Sequence, residues 1–112
     1  MGRLTLRFHF DDGQALGPGK VRLLEEVAAK GSIRSAATAM KMSYRRAWLL
    51  LKSIEETFGA PVIATATGGK SGGGTKLTPL GAHIVRHYRA AEEAARDGAA
   101  ANLATLQRLR KR

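Results

Sequence analysis

Three clusters in this chain carry side chains whose types and spacing could do chemistry. Gly69-Lys70-Ser71 ends like a loop that cradles nucleotide phosphates. That chemistry needs a glycine five positions before Gly69 and a helix directly after the serine. Position 64 is Ala64, and Gly72, Gly73 and Gly74 come next, glycine being among the poorest helix formers. His83 and His87 have the i, i+4 spacing of a metal pair on a helix, but "HIVRH" holds no acidic residue and no third ligand is near, so plain surface histidines are the expectation. Glu25-Glu26, Glu55-Glu56 and Glu92-Glu93 are neighbours on helices and point apart. They read as solvated faces or partners of nearby arginines, not as acid/base dyads. No Ser-His-Asp, paired-carboxylate or cofactor motif stands out, so no cofactor, no metal and no enzyme are expected.

The third cluster is Ser43, Tyr44, Arg45 and Arg46, opening "SYRRAWLLLKSIEE". Arginine pairs bidentately with guanine, and serine and tyrosine hydroxyls reach phosphates or bases. A run of this kind at the start of a helix suits the major groove of a duplex. Lys52, two turns on, suits a phosphate. The charge agrees: 19 Lys and Arg against nine Asp and Glu give a net +10, which favours a polyanion. Between Lys30 and Lys76 lie Arg34, Lys41 and the residues above, with only Glu55 and Glu56 opposing them. The bland alternative is a solvated basic face.

Positioning these groups requires a fold. At 112 residues and 44% apolar the chain suits one small domain, residues 1–112. There is no cysteine, hence no disulfide or thiolate metal site. No signal-like or membrane-crossing run occurs, and a cytoplasmic protein is expected. "LTLRFHF", Leu4 to Phe10, alternates like a half-buried strand and ends at Asp11-Asp12-Gly13. Gly17-Pro18-Gly19 opens a helix with Val21, Leu24, Val27 and Ala28 inward, closed by Gly31. Ser32 caps a short helix burying Ile33, Ala36, Ala37 and Met40. Ser43 caps the next, with Ala47, Leu51, Ile54 and Phe58 inward. "WLLL" is too apolar for one helix face, so Leu49 or Leu50 should be partly exposed; Trp48 is expected to cover the core edge.

"VIATAT" and "KLT" then read as two strands, with the glycine-rich stretch between them as a hairpin tip. Glycines let such a tip reverse and let its amides approach phosphates, with Lys70, Ser71 and Lys76 beside them. An ordinary hairpin is the alternative. Thr78-Pro79 starts a last helix, about 79–110, with Ile84, Tyr88, Ala91 and Ala95 inward and a weak point at Gly98. The sum is mainly α with a small β component: a winged helix-turn-helix with an N-terminal strand, a wing at about 62–78 and a long C-terminal helix.

"GSIRSAATAMKMSYRRAWLLLKSIEE" and, after it, "TGGKSGGGTKLTPLG" resemble the N-terminal DNA-binding domain of the ModE family of molybdate-dependent regulators, within the wider LysR-type winged-helix group. The resemblance runs from about Leu4 to Glu92. It implies a homodimer paired through the N-terminal strand region and the last helix. It implies that Ser43 to Arg46 lie at the major groove, with the wing, Thr67 to Thr75, beside the adjacent backbone. Full-length members carry a molybdate-binding part, and no such domain is expected in these residues. The reading is therefore a sequence-specific transcriptional regulator binding double-stranded DNA, of molybdate or tungstate uptake genes by resemblance. A nucleoid-type protein without sequence preference, and a module docking a separate effector or sensor protein, are the alternatives.

Overall fold

The computed structural model describes residues 2–66 and 74–110. Two tiny strands come first. β1 (Phe8–His9) pairs antiparallel with β2 (Ala15–Leu16), Phe8 opposite Leu16. The strand expected over Leu4 to Phe10 is thus mostly unpaired, because its only partner is two residues long. Phe10 and Gln14 close the reversal through an N–H to carbonyl bond of 2.8 Å. Upstream, the segment is held by a side chain: the Tyr88 hydroxyl donates to the Leu6 carbonyl at 2.5 Å.

α1 (Pro18–Lys30) starts on a proline, whose fixed φ suits the first turn. It ends at Gly31, where φ of 77° is the left-handed conformation glycine tolerates. Val21, Leu23, Leu24 and Val27 are fully buried, each stabilising the fold by about 1.5–3 kcal/mol. This face is wider than one stripe because α1 is packed on several sides: α2 (Ile33–Ala39), α3 (Tyr44–Phe58), α4 (Pro79–Leu109) and the strand β4 (Gly74–Leu77) all touch it. Leu23 takes the inward place expected of Ala28, which is exposed.

α2 and α3 are joined by a tight turn. Ser32 Oγ accepts the Ser35 N–H at 3.0 Å, and Ser43 Oγ accepts the Arg46 N–H at 3.1 Å. Each such cap is worth about 1 kcal/mol. Between the helices Lys41 has φ of 58°, a left-handed position held by a non-glycine residue, and the Met42 N–H returns to the Ala37 carbonyl at 3.0 Å. Ala36, Ala37 and Ala47 are buried, and their small side chains let α2 and α3 approach closely.

β3 (Ile63–Ala66) and β4 form an antiparallel ribbon with Ile63 opposite Leu77 and Thr65 opposite Thr75. Residues 67–73, where the hairpin tip with Lys70 and Ser71 is expected, lie outside the described residues. The ribbon's base is fixed twice: the Thr75 N–H donates to the Gly31 carbonyl at 2.8 Å, and the Thr78 N–H to the Val62 carbonyl at 3.0 Å. From Gly74 to Leu77 the chain is strand, in place of the helix that a nucleotide-cradling loop requires.

α4 begins on a Thr78 cap whose Oγ1 accepts the Gly81 N–H at 3.1 Å, with Pro79 next. Its 31 residues span about 46 Å. Ile84 and Tyr88 are buried as expected. The next inward position is Glu92, not Ala91, because Arg89 reaches it at 2.8 Å and neutralises the buried carboxylate. The helix runs unbroken through Gly98, since one glycine costs only about 1 kcal/mol in a long helix. Its last two turns and more stand clear of the core, and residues 101–110 are all exposed.

Candidate nucleic-acid interface

The side chains singled out at the start of α3 come together on one exposed surface. Ser43, Tyr44, Arg45 and Arg46 all face solvent. Among the described residues, Arg45 and Arg46 make no ion pair. Ser43 Oγ accepts the cap bond, and its hydroxyl proton is left to donate outward. Arg34, on α2, places its guanidinium 5.2 Å from the centre of the Tyr44 ring, so the two helices share one cationic edge.

Lys52 lies two turns further along α3. Its ammonium is 5.3 Å from the Trp48 ring centre and 3.4 Å from Glu55 Oε1. The other Glu55 oxygen accepts the Val62 N–H at 3.0 Å, so this carboxylate ties the end of α3 to the chain entering β3. Trp48 is 42% exposed and does not cover the core edge. The core stripe of Ala47, Leu51 and Ile54 occupies the adjacent face, and one residue's step of about 100° swings Trp48 out of it. Leu49 is exposed and Leu50 half-buried, as the "WLLL" run requires.

Lys76 is exposed on β4 opposite Ala64. Alternation puts that pair on the ribbon face away from Ile63, Thr65, Thr75 and Leu77. Of the sequence-derived set, Arg34, Ser43, Tyr44, Arg45, Arg46 and Lys52 are therefore continuous, while Lys76 sits across the ribbon. Trp48 is the residue that sequence reasoning misplaced. Its i+4 relation to Tyr44 and i−4 relation to Lys52 is the signal that marks it as part of the exposed edge.

His83 and His87 are exposed with rings 6.2 Å apart and nearly parallel, and the Arg86 guanidinium lies 2.6 Å from His83 Nδ1. Among the described residues no group of three or more His, Cys, Asp or Glu could hold a metal ion. No helix among them is long and apolar enough to cross a membrane.

On the far side of α1 lies a charge network. Arg89 makes two bonds to Glu25, 3.0 and 2.7 Å, and one to Glu92 of 2.8 Å; Arg96 approaches Glu92 at 3.2 Å. The Arg89 hydrogen bond, with the charges of Arg89 and Arg96, holds the Glu92 carboxyl below its ordinary range against the opposing effect of burial. Bonding to Glu25 raises Arg89, keeping it charged. Lys20 is lowered by burial and by Arg7, and is held by the Ala15 carbonyl at 3.1 Å and Ser53 Oγ at 3.0 Å. These groups tie α1 to α3 and to α4.

The profile of bacterial regulatory helix-turn-helix proteins of the lysR family matches residues 19–82, more than half of the chain. The chain belongs to that family. Its lysR-type region is similar to the molybdenum transport protein ModE of Azotobacter vinelandii, 40% identical over 82 residues, which are 73% of this chain and 30% of the relative. It is also similar to the transcriptional regulator ModE of Haemophilus influenzae, 40% identical over 73 residues, 65% of this chain and 29% of the relative. The lysR-family chain thus spans about a third of the length of these relatives. Among solved structures, the DNA-binding domain of CbnR in a DNA complex superposes with a TM-score of 0.60 at 20% identity, covering 78% of this chain and 95% of that one. The DNA-binding domain of BenM, also in a DNA complex, gives 0.52 at 15% identity, covering 81% and 92%. At such identities the likeness establishes the winged helix-turn-helix fold.

Proposed function

We propose that this chain is the DNA-reading part of a transcriptional regulator that binds double-stranded DNA as a homodimer in the cytoplasm and performs no catalysis. The observation that carries this reading is the uninterrupted exposed edge of Arg34, Ser43, Tyr44, Arg45 and Arg46 at the start of a helix capped into a tight helix-turn-helix. Arg45 and Arg46 read base edges in the major groove, while Arg34 and Lys52 take phosphates. The ribbon, with Lys76, lies along the neighbouring backbone, and Lys70 and Ser71, between its two strands in sequence, are DNA contacts in the same reading. The name of the Azotobacter vinelandii relative, a molybdenum transport protein, supports genes of molybdate uptake as targets.

The second copy pairs along α4. A compact chain of this length has a radius of gyration of about 13 Å, whereas this one has 16.9 Å, and the end of α4 extends beyond the core with Gly2 to Leu4 beside it. Leu103, Leu106 and Leu109 are exposed there, an apolar stripe that the N-terminal residues Gly2 to Leu4 flank but leave open to solvent. Two-fold pairing then requires a palindromic operator with half-sites about 34 Å, or a multiple of that, apart.

Selection of bound duplexes from a random pool tests the reading. A recovered palindromic motif, retained against an excess of unrelated DNA, is the expected result. Recovery of no motif, with unrelated DNA competing equally, would leave only a nonspecific basic protein.

A further inference from the structure

We propose that the slot between α3 and β3 seats one strand of sugar-phosphate backbone, with Trp48 as a DNA-contacting residue on its wall. The proposal rests on the DNA-reading function and adds to it a binding site for a phosphodiester. A recognition helix in the major groove and a ribbon on the neighbouring backbone are separated by a row of phosphates, which must pass between the two elements. In this chain that gap is a groove of about 390 Å³ with Tyr44, Trp48 and Lys52 on one wall and Ile63 and Thr65 on the other.

The groove's chemistry suits a phosphodiester. Tyr44, Trp48 and Lys52 are spaced i, i+4, i+8, so they stand in one row along α3. Two large aromatic side chains, 44% and 42% exposed, are left in water on a helix that buries Ala47, Leu51 and Ile54 completely or nearly so. Each ring has a cation beside it, Arg34 at one end of the row and Lys52 at the other. The row therefore offers a phenol O–H, an indole N–H and two cationic groups, all donors, with flat apolar surface between them for deoxyribose. Thr65 adds an exposed hydroxyl from the facing strand. Glu55 is the opposing charge. It lines the groove as well, but its carboxylate is mostly shielded, with one oxygen accepting the Val62 N–H and the other holding Lys52 at 3.4 Å.

Contacts to a backbone position the protein without reading sequence. The sole tryptophan of the chain makes this measurable. A duplex recovered by selection, end-labelled, is added while its anisotropy and the Trp48 emission are monitored together. Trp48 emission should change on binding, and its quenching by acrylamide should fall. Trp48→Phe, which keeps an aromatic ring and removes the N–H donor, should weaken the selected and a scrambled duplex alike by about tenfold, the worth of one hydrogen bond to a charged group. Its thermal unfolding should match that of the parent. Rising anisotropy with unchanged emission and quenching, and a Trp48→Phe variant that binds like the parent, would overturn the slot while leaving the DNA-reading function intact. A loss confined to the selected duplex would make Trp48 a base contact and overturn it equally. No anisotropy change with any duplex would remove the underlying function, and the slot with it.

Discussion

A methyl group placed on Gly81 would sit 2.3 Å from the carbonyl oxygen of Val62. The first turn of α4 therefore lies directly against the chain entering the ribbon, and the same carbonyl accepts the Thr78 N–H at 3.0 Å. Gly81→Ala forces these backbones apart and should destabilise the protein by about 1–3 kcal/mol, the usual cost of overpacking. Urea unfolding measures it. A variant as stable as the parent would mean that the helix–ribbon junction has slack.

Lys41 presents the opposite case. Its φ of 58° puts a side-chain-bearing residue in the left-handed region, at a cost of about 1–2 kcal/mol. Glycine removes that strain but loses about 0.5–1 kcal/mol of chain entropy on folding. Lys41→Gly should therefore stabilise by up to about 1.5 kcal/mol, seen as a higher denaturation midpoint. A lower midpoint would show that the Lys41 side chain contributes to the turn.

The Arg89 hydrogen bond, with the Arg89 and Arg96 charges, depresses the Glu92 carboxyl in the folded protein. A group lowered on folding contributes stability above its unfolded pKa, and that contribution disappears as pH falls through the folded value. Stability should thus decline as acid protonates Glu92, below the ordinary carboxylate range. Glu92→Gln should lower stability at neutral pH and flatten the acid limb of the profile. An unchanged acid limb would assign acid sensitivity to other carboxylates.

Replacing Leu106 and Leu109 together by lysine should leave the fold intact, because both side chains are exposed in the single chain. Sedimentation should nevertheless report a monomer, and affinity for a two-half-site operator should fall towards that for one half-site. A variant that still sediments as a dimer would place the contact elsewhere, for instance on the apolar groove around Phe8, Phe10 and Leu80.

Most of the architecture was legible from local signals. The three hydroxyl caps at Ser32, Ser43 and Thr78, the prolines at 18 and 79 and the glycines at 31 and 59 mark helix ends by backbone chemistry that acts within a few residues. The exposed cluster at Ser43 to Arg46 was legible for the same reason, since charge at a capped helix start has no need of burial. The features that escaped depend on distant partners. The strand at Leu4 to Phe10 alternates correctly but finds only Ala15–Leu16 to pair with. The pairing of Glu92 with arginine was foreseen, but its burial was not: it takes the inward place expected of Ala91 because Arg89 lies one turn before it. Trp48 looks like core by type, yet the core beside it was already filled by Ala47 and Leu51.

Arg45→Ala tests the central claim most directly, that the exposed arginines of α3 lie at base edges while Lys52 and its neighbours lie at phosphates. Affinities of the parent, Arg45→Ala and Lys52→Gln are measured for a selected and a scrambled duplex over a series of salt concentrations. With about six phosphates neutralised, the parent's log affinity should fall against log salt with a slope of about −5. Lys52→Gln should lose about one unit of that slope and weaken both duplexes alike. Arg45→Ala should cost about 1–3 kcal/mol on the selected duplex and little on the scrambled one. Equal losses on both duplexes for Arg45→Ala, or a parent slope near zero, would contradict the account.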